Sequence, residues 1–145
     1  MLSRKHAELV GPRFLVLAGA TAVCLLMGCG SNSHSVDEGS KTVPTVEMQS
    51  HSFEPSTITI HAGDTVLWKN KSLLTHTVTA DPDLASDRSH VALPAGAQKF
   101  DSGKIGMSGT YAHIFTVPGT YRYVCLPHES KGMLGQVEVK PAGSP

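Results

Sequence analysis

The sequence predicts a single all-β sandwich domain, and three observations carry that expectation. Short alternations of apolar and polar residues, each of strand length, recur through most of the chain. Turn-forming Gly, Pro, Asn and Asp separate them, and no stretch among them carries the periodicity of a long helix. A length of 145 residues suits one domain with a real core and is short for two.

The first segment reads differently. Arg4, Lys5 and Arg13 precede an apolar run from Phe14 to Met27, the pattern of an export signal. The run is shorter than the roughly 20 residues a membrane-spanning helix needs. It ends in Leu26-Met27-Gly28-Cys29, which resembles the bacterial lipobox, where cleavage leaves a lipidated cysteine as the mature N-terminus. The expectation is therefore a cleaved signal peptide over 1–28 and a lipid on Cys29 that anchors the protein to a membrane without spanning it. An ordinary secretory signal with an incidental Cys29 is the competing reading. Residues 29–44 are polar and Ser/Gly-rich, as in a flexible linker.

The predicted domain occupies 45–140, followed by a disordered tail at 141–145. Ile58 and Ile60 alternate with Thr57, Thr59 and His61, and Ala62-Gly63-Asp64 makes a turn. Val66 and Trp68 then share a face opposite Leu67 and Lys69. The β-branched stretch Thr75–Thr79 surrounds His76 and reads as another strand. Asp81–Gln98 is irregular, with room for one short helix or strand. After Phe100, Tyr111, Ile114, Phe115 and Val117, Pro118-Gly119 signals a turn. Tyr121, Tyr123 and Cys125 follow on one face, with Arg122 and Val124 assigned to the outward one. Val137 and Val139 face inward from a closing strand.

Charge excludes one class of function. Lys and Arg total 12, Asp and Glu total 12, and no basic stripe is present, so nucleic-acid binding has no electrostatic support.

The most informative segment is Cys125-Leu-Pro-His128-Glu-Ser-Lys-Gly-Met133, which places a thiol, an imidazole and a thioether within nine residues. Cys24 would leave with the signal and Cys29 would be capped, leaving Cys125 unpaired. In an oxidising exported compartment a lone thiol calls for an occupant, and metal ligation is the simplest. One thiolate, two imidazoles and a weak thioether make the donor set of a mononuclear electron-transfer copper site. His76 is the leading candidate for the second imidazole. Singly, each residue has a plainer role as core filler or satisfied histidine. Their order and spacing favour copper, one ion per chain, cycling between Cu(I) and Cu(II). His34, His51, His61, His90 and His113 are read as structural or solvated.

From Phe53 to Lys140 the chain resembles cupredoxins of the plastocyanin and pseudoazurin type. The resemblance rests on Ile58-x-Ile60-x-x-Gly63-Asp64-Thr65-Val66-x-Trp68-x-Asn70, on His76-Thr77-Val78, and on the run Gly119-Thr120-Tyr121-x-Tyr123-x-Cys125-x-Pro127-His128 through Gly132-Met133 to Val139. It implies a Greek-key β-sandwich with copper at one end, held by His76, Cys125, His128 and Met133. It also implies redox protein partners docking near His128, on a patch that Leu126, Pro127, Leu134 and Leu73 or Leu74 would supply. Two positions depart from the pattern. Val124 stands where plastocyanins carry a tyrosine, and Thr77 stands where many cupredoxins have an asparagine.

The expected protein is thus a monomeric, membrane-tethered carrier of single electrons, exported to the periplasm or an extracytoplasmic surface. A copper-binding or copper-delivery lipoprotein is the alternative. An enzyme is disfavoured, because four protein ligands leave no open position for substrate.

Overall fold

The computed structural model describes residues 42–143. The expected signal peptide, Cys29, His34 and the linker through residue 41 lie outside the described residues, as do residues 144 and 145 of the expected tail.

Among the described residues nine strands follow in order: β1 (Thr45–Met48), β2 (Phe53–Glu54), β3 (Thr57–His61), β4 (Thr65–Asn70), β5 (Thr79–Ala80), β6 (Phe100–Asp101), β7 (Thr110–Ile114), β8 (Gly119–Val124) and β9 (Leu134–Lys140). They form two sheets, ordered β2-β1-β4-β7 and β3-β9-β8-β5-β6. The β1–β4 and β3–β9 pairs are parallel and the others antiparallel. The chain passes from one sheet to the other between β2 and β3, β3 and β4, β4 and β5, β6 and β7, and β7 and β8, the crossing pattern of a Greek-key sandwich.

Period-two alternation builds the core as the sequence predicts. On β4, Val66 and Trp68 are fully buried while Leu67 and Lys69 are only partly covered. Val137 and Val139 of β9, Ile60 of β3 and Tyr121 and Tyr123 of β8 join them in one cluster drawn from both sheets. Trp68 donates its indole N–H to the Tyr123 hydroxyl at 3.1 Å, which satisfies both polar groups in the interior. Tyr123 lies opposite Gly135 in the β8–β9 register, and the absent side chain leaves room for the ring.

Two expectations need correction. Val124 does not face outward; it is fully buried. The β5–β6 connection lies against β8, where Ala92 bridges to Arg122, and its Val91 and Ala85 pack into the same core as Val124. The Thr75–Thr79 stretch is also not a continuous strand. Only Thr79 enters β5, and His76 sits in an isolated bridge with Ile105, bonded through His76 N–H (3.0 Å) and Ile105 N–H (2.8 Å). The ladder breaks because side chains take the next amides. Thr77 N–H points at Cys125 Sγ, and Val78 N–H donates to Ser102 Oγ.

Candidate metal centre

Cys125 directly follows β8 and caps a short 3-10 helix, Leu126–Lys131, with Pro127 in its first turn. In a 3-10 helix, side chains three apart eclipse one another. That period brings His128 back over Cys125. Gly132 ends the helix at φ 77°, a left-handed conformation that glycine adopts without steric cost. The chain then returns to β9 through Met133, whose carbonyl accepts from Cys125 N–H at 3.1 Å. Met133 N–H donates to the His128 carbonyl at 3.2 Å. The segment from 125 to 133 is thus closed on itself.

The donor atoms converge. Cys125 Sγ lies 3.5 Å from His76 Nδ1 and 3.4 Å from His128 Nδ1, and all three atoms fall within 4.8 Å of one another. A thiolate and an imidazole nitrogen bound to one ion at roughly 2.3 and 2.0 Å stand about 3.6 Å apart at near-tetrahedral angles. The geometry therefore fits a single small ion. Cys125, His76 and Met133 are 0% exposed, and His128 is half-buried.

The surroundings orient each group. His76 Nε2 lies 2.7 Å from Ser72 Oγ. That hydroxyl donates to Asn70 Oδ1 at 3.1 Å, so it receives the imidazole proton. Nε2 therefore carries the hydrogen, and the Nδ1 lone pair faces Cys125. Asn70 is itself pinned, donating to the carbonyls of Leu74 and Ile105. Thr77 Oγ1 accepts from Leu126 N–H at 2.9 Å and sits 3.0 Å from Thr79 Oγ1. Thr79 in turn donates to Asp101 Oδ1 at 2.6 Å. A carboxylate only accepts, so the hydroxyls donate in sequence from Thr77 to Thr79 to Asp101.

Burial sets the protonation of the site. Desolvation, then the neighbouring His128 and His51, hold the His76 imidazolium pKa below its ordinary value. His128 is lowered for the same first reason, with His51 adding to it. Both rings are thus disposed to stay neutral and ready to ligate. Burial pushes the Cys125 thiol up against the opposing amides of Thr77 and His128, so a bound cation is needed to favour the thiolate.

Glu129 escaped sequence reasoning. It is 3% exposed although it sits on the loop beside His128. Its carboxylate accepts from Ser86 N–H (2.7 Å) and Asp87 N–H (2.9 Å) and lies 2.9 Å from His90 Nδ1. Burial pushes this carboxyl up, but those amides and the His90 ring outweigh it and hold the pKa below the ordinary value. Glu129 thus fastens the loop to the β5–β6 connection. The only advance signal was an acid among the loop residues.

The other histidines separate by role. His61 is exposed, and His113 packs on Phe100 with centroids 4.2 Å apart. The exposed His51 meets His128 edge to face at 5.1 Å. Of the expected apolar patch, Leu73 is 85% and Leu74 38% exposed. Leu126 and Pro127 line a cavity of about 410 Å³ beside Thr77 and Lys104. Leu134 lines a different one, with His90 and Arg122.

Known proteins match this sequence and this fold. The family model for copper binding proteins of the plastocyanin/azurin family matches residues 40–140. Plastocyanin from Lactuca sativa is 36% identical over 96 residues, covering 60% of this chain and 86% of the relative. Chloroplastic plastocyanin from Tetradesmus obliquus is 32% identical over 127 residues, covering 85% of this chain and 78% of the relative. Among solved structures, a reduced amicyanin mutant superposes with a TM-score of 0.54 at 25% identity, covering 68% of this chain and 83% of that one. A sandwich of this topology, a buried thiol between two imidazoles and a family match over most of the chain lead to one conclusion: the chain belongs to the plastocyanin/azurin family of copper-binding proteins, the cupredoxins, which are electron carriers and not enzymes.

Proposed function

We propose that the protein is a membrane-tethered carrier of single electrons whose copper would be held by His76, Cys125 and His128, with Met133 as a weak fourth ligand. The observation that carries this reading is the approach of Cys125 Sγ to both Nδ1 atoms at 3.4 and 3.5 Å. Bound copper supplies a one-electron Cu(I)/Cu(II) couple. The chain supplies a rigid donor set that changes little between the two states. Ser72 keeps His76 in one tautomer, Thr77 holds Cys125 Sγ through its amide, and Glu129 secures the loop. Three fully buried candidate ligands speak for retention over delivery.

In this reading residues 1–28 are a cleaved signal and Cys29 bears the lipid. A linker through residue 44 holds the domain 45–140 off an extracytoplasmic membrane surface as a monomer. Among the described residues no helix is long and apolar enough to cross a membrane. Redox proteins dock where His128 comes nearest the surface, and Pro127 with the exposed Leu73 offers apolar contact for a short-lived complex.

The test is spectroscopic. Copper-loaded full-length protein should show an intense visible thiolate-to-copper charge-transfer band that Cys125→Ser abolishes. Met133→Leu should shift colour and potential while leaving the band. A colourless Cu(II) protein would sink the ligand set, and a Met133→Leu variant unchanged in both properties would remove Met133 from it.

A further inference from the structure

Three of the four proposed ligands, His76, Cys125 and Met133, are sealed from solvent. His128 alone is half-exposed, so an ion arriving from water reaches the site past His128. One further imidazole stands at that place. His51 lies on the turn between β1 and β2, held by Gln49 N–H donating to the Ser52 carbonyl at 2.9 Å. Its exposed ring abuts His128 at an interplanar angle of 85°. The centroids of the two rings lie 5.1 Å apart.

Resting on the ligand set above, we propose that His51 is a loading ligand: it captures an incoming copper ion at the surface and passes it to His128. Neutral imidazole is the commonest protein ligand for such ions. An exposed side chain reorients on the picosecond-to-nanosecond scale, so the capturing ring can turn outward and back. The transfer is a ligand exchange without redox change. The bond from His128 forms as that from His51 breaks, and Cys125 releases its thiol proton to water when it binds. His51 is absent from the final donor set, because the convergent atoms belong to His76, Cys125 and His128.

The role is kinetic, and rapid mixing reads it. Metal-free full-length protein is mixed with micromolar Cu(II) chloride, and growth of the charge-transfer band is followed. A tethered donor presents its ion at an effective concentration in the millimolar range, about a thousand times the micromolar ion in solution, so losing it should slow uptake by up to about a thousandfold. His51→Ala and His51→Phe should both be slow and both reach the wild-type band. His61→Ala, which removes an exposed imidazole elsewhere, should load at the wild-type rate. Phenylalanine keeps the ring against His128 without a donor nitrogen, so wild-type uptake in His51→Phe would reduce His51 to packing and overturn the proposal. Equal rates in all variants would overturn it too, as would a final band lost in either His51 variant, since His51 would then be a resident ligand. A wild-type protein that never develops the band refutes the ligand set instead.

Discussion

Replacing Gly135 by alanine tests how tightly the strands flanking the metal centre are packed. A Cβ at this position would lie 2.5 Å from Tyr123 Cε2 and closer still to Cζ and Oη. Ordinary carbon contacts fall at roughly 3.5–4.0 Å, so the ring must retreat by about 1 Å or more. It has nowhere to go. Tyr123 is fully buried against Phe53 and Trp68, with ring centroids 4.8 and 5.5 Å away. Overpacking of this kind costs about 1–3 kcal/mol. The retreat also carries the hydroxyl away from Trp68 Nε1, now 3.1 Å distant, and a buried donor left unsatisfied costs about 1–3 kcal/mol more. The expected loss of about 2–6 kcal/mol is a large share of the roughly 5–15 kcal/mol that stabilises a typical domain. Equilibrium urea unfolding measures it, with Trp68, the single tryptophan of the chain, as the fluorescent reporter. In a Tyr123→Leu background the same substitution should cost far less, so that most of the loss appears as coupling between the two positions. A Gly135→Ala protein within about 0.5 kcal/mol of wild type would refute the packing argument.

Two further predictions concern the groups around the ligands. Ser72→Ala leaves the buried Nε2–H of His76 without its acceptor, and copper affinity measured by competition with a chelator should fall about 10–100-fold while the charge-transfer band persists. Glu129→Gln sets an amide NH₂ against backbone N–H donors and should cost about 2–3 kcal/mol near neutral pH. Because the Glu129 pKa is lowered in the fold, its contribution is complete above the ordinary glutamate value and disappears as pH falls through the lower folded value. Urea unfolding of both proteins across the acid range should show the gap closing on acidification; a gap that widens there would contradict the assignment.

What could be read from the sequence was local. The Cys125 and His128 spacing matches the three-residue period of a 3-10 helix, and Val66 and Trp68 alternate with the period of a strand, so neighbours along the chain announce these arrangements. His76 was legible through its motif, although its place in a strand was not, because the amides of Thr77 and Val78 are claimed by residues 48 and 24 positions away. Val124 looked outward by alternation, since nothing in the irregular 81–98 stretch signals that it packs against β8. Glu129 was missed for a similar reason. A carboxylate is expected in water, and only the fold brings it to the amides of Ser86 and Asp87.

The Glu129 fastening has a consequence for how variation in this protein should be read. The carboxylate takes two of its bonds from backbone N–H groups, which every amino acid except proline supplies. These two bonds therefore survive any change of side chain at 86 and 87 short of proline, with only the Ser86 hydroxyl adding a side-chain bond of its own, whereas none of them survives loss of the acid at 129. Pairwise covariation would accordingly find no coupled change at 87 to match the acid at 129, and the backbone part of the joint between the metal-binding loop and its neighbour would escape any method that infers contacts from correlated substitution.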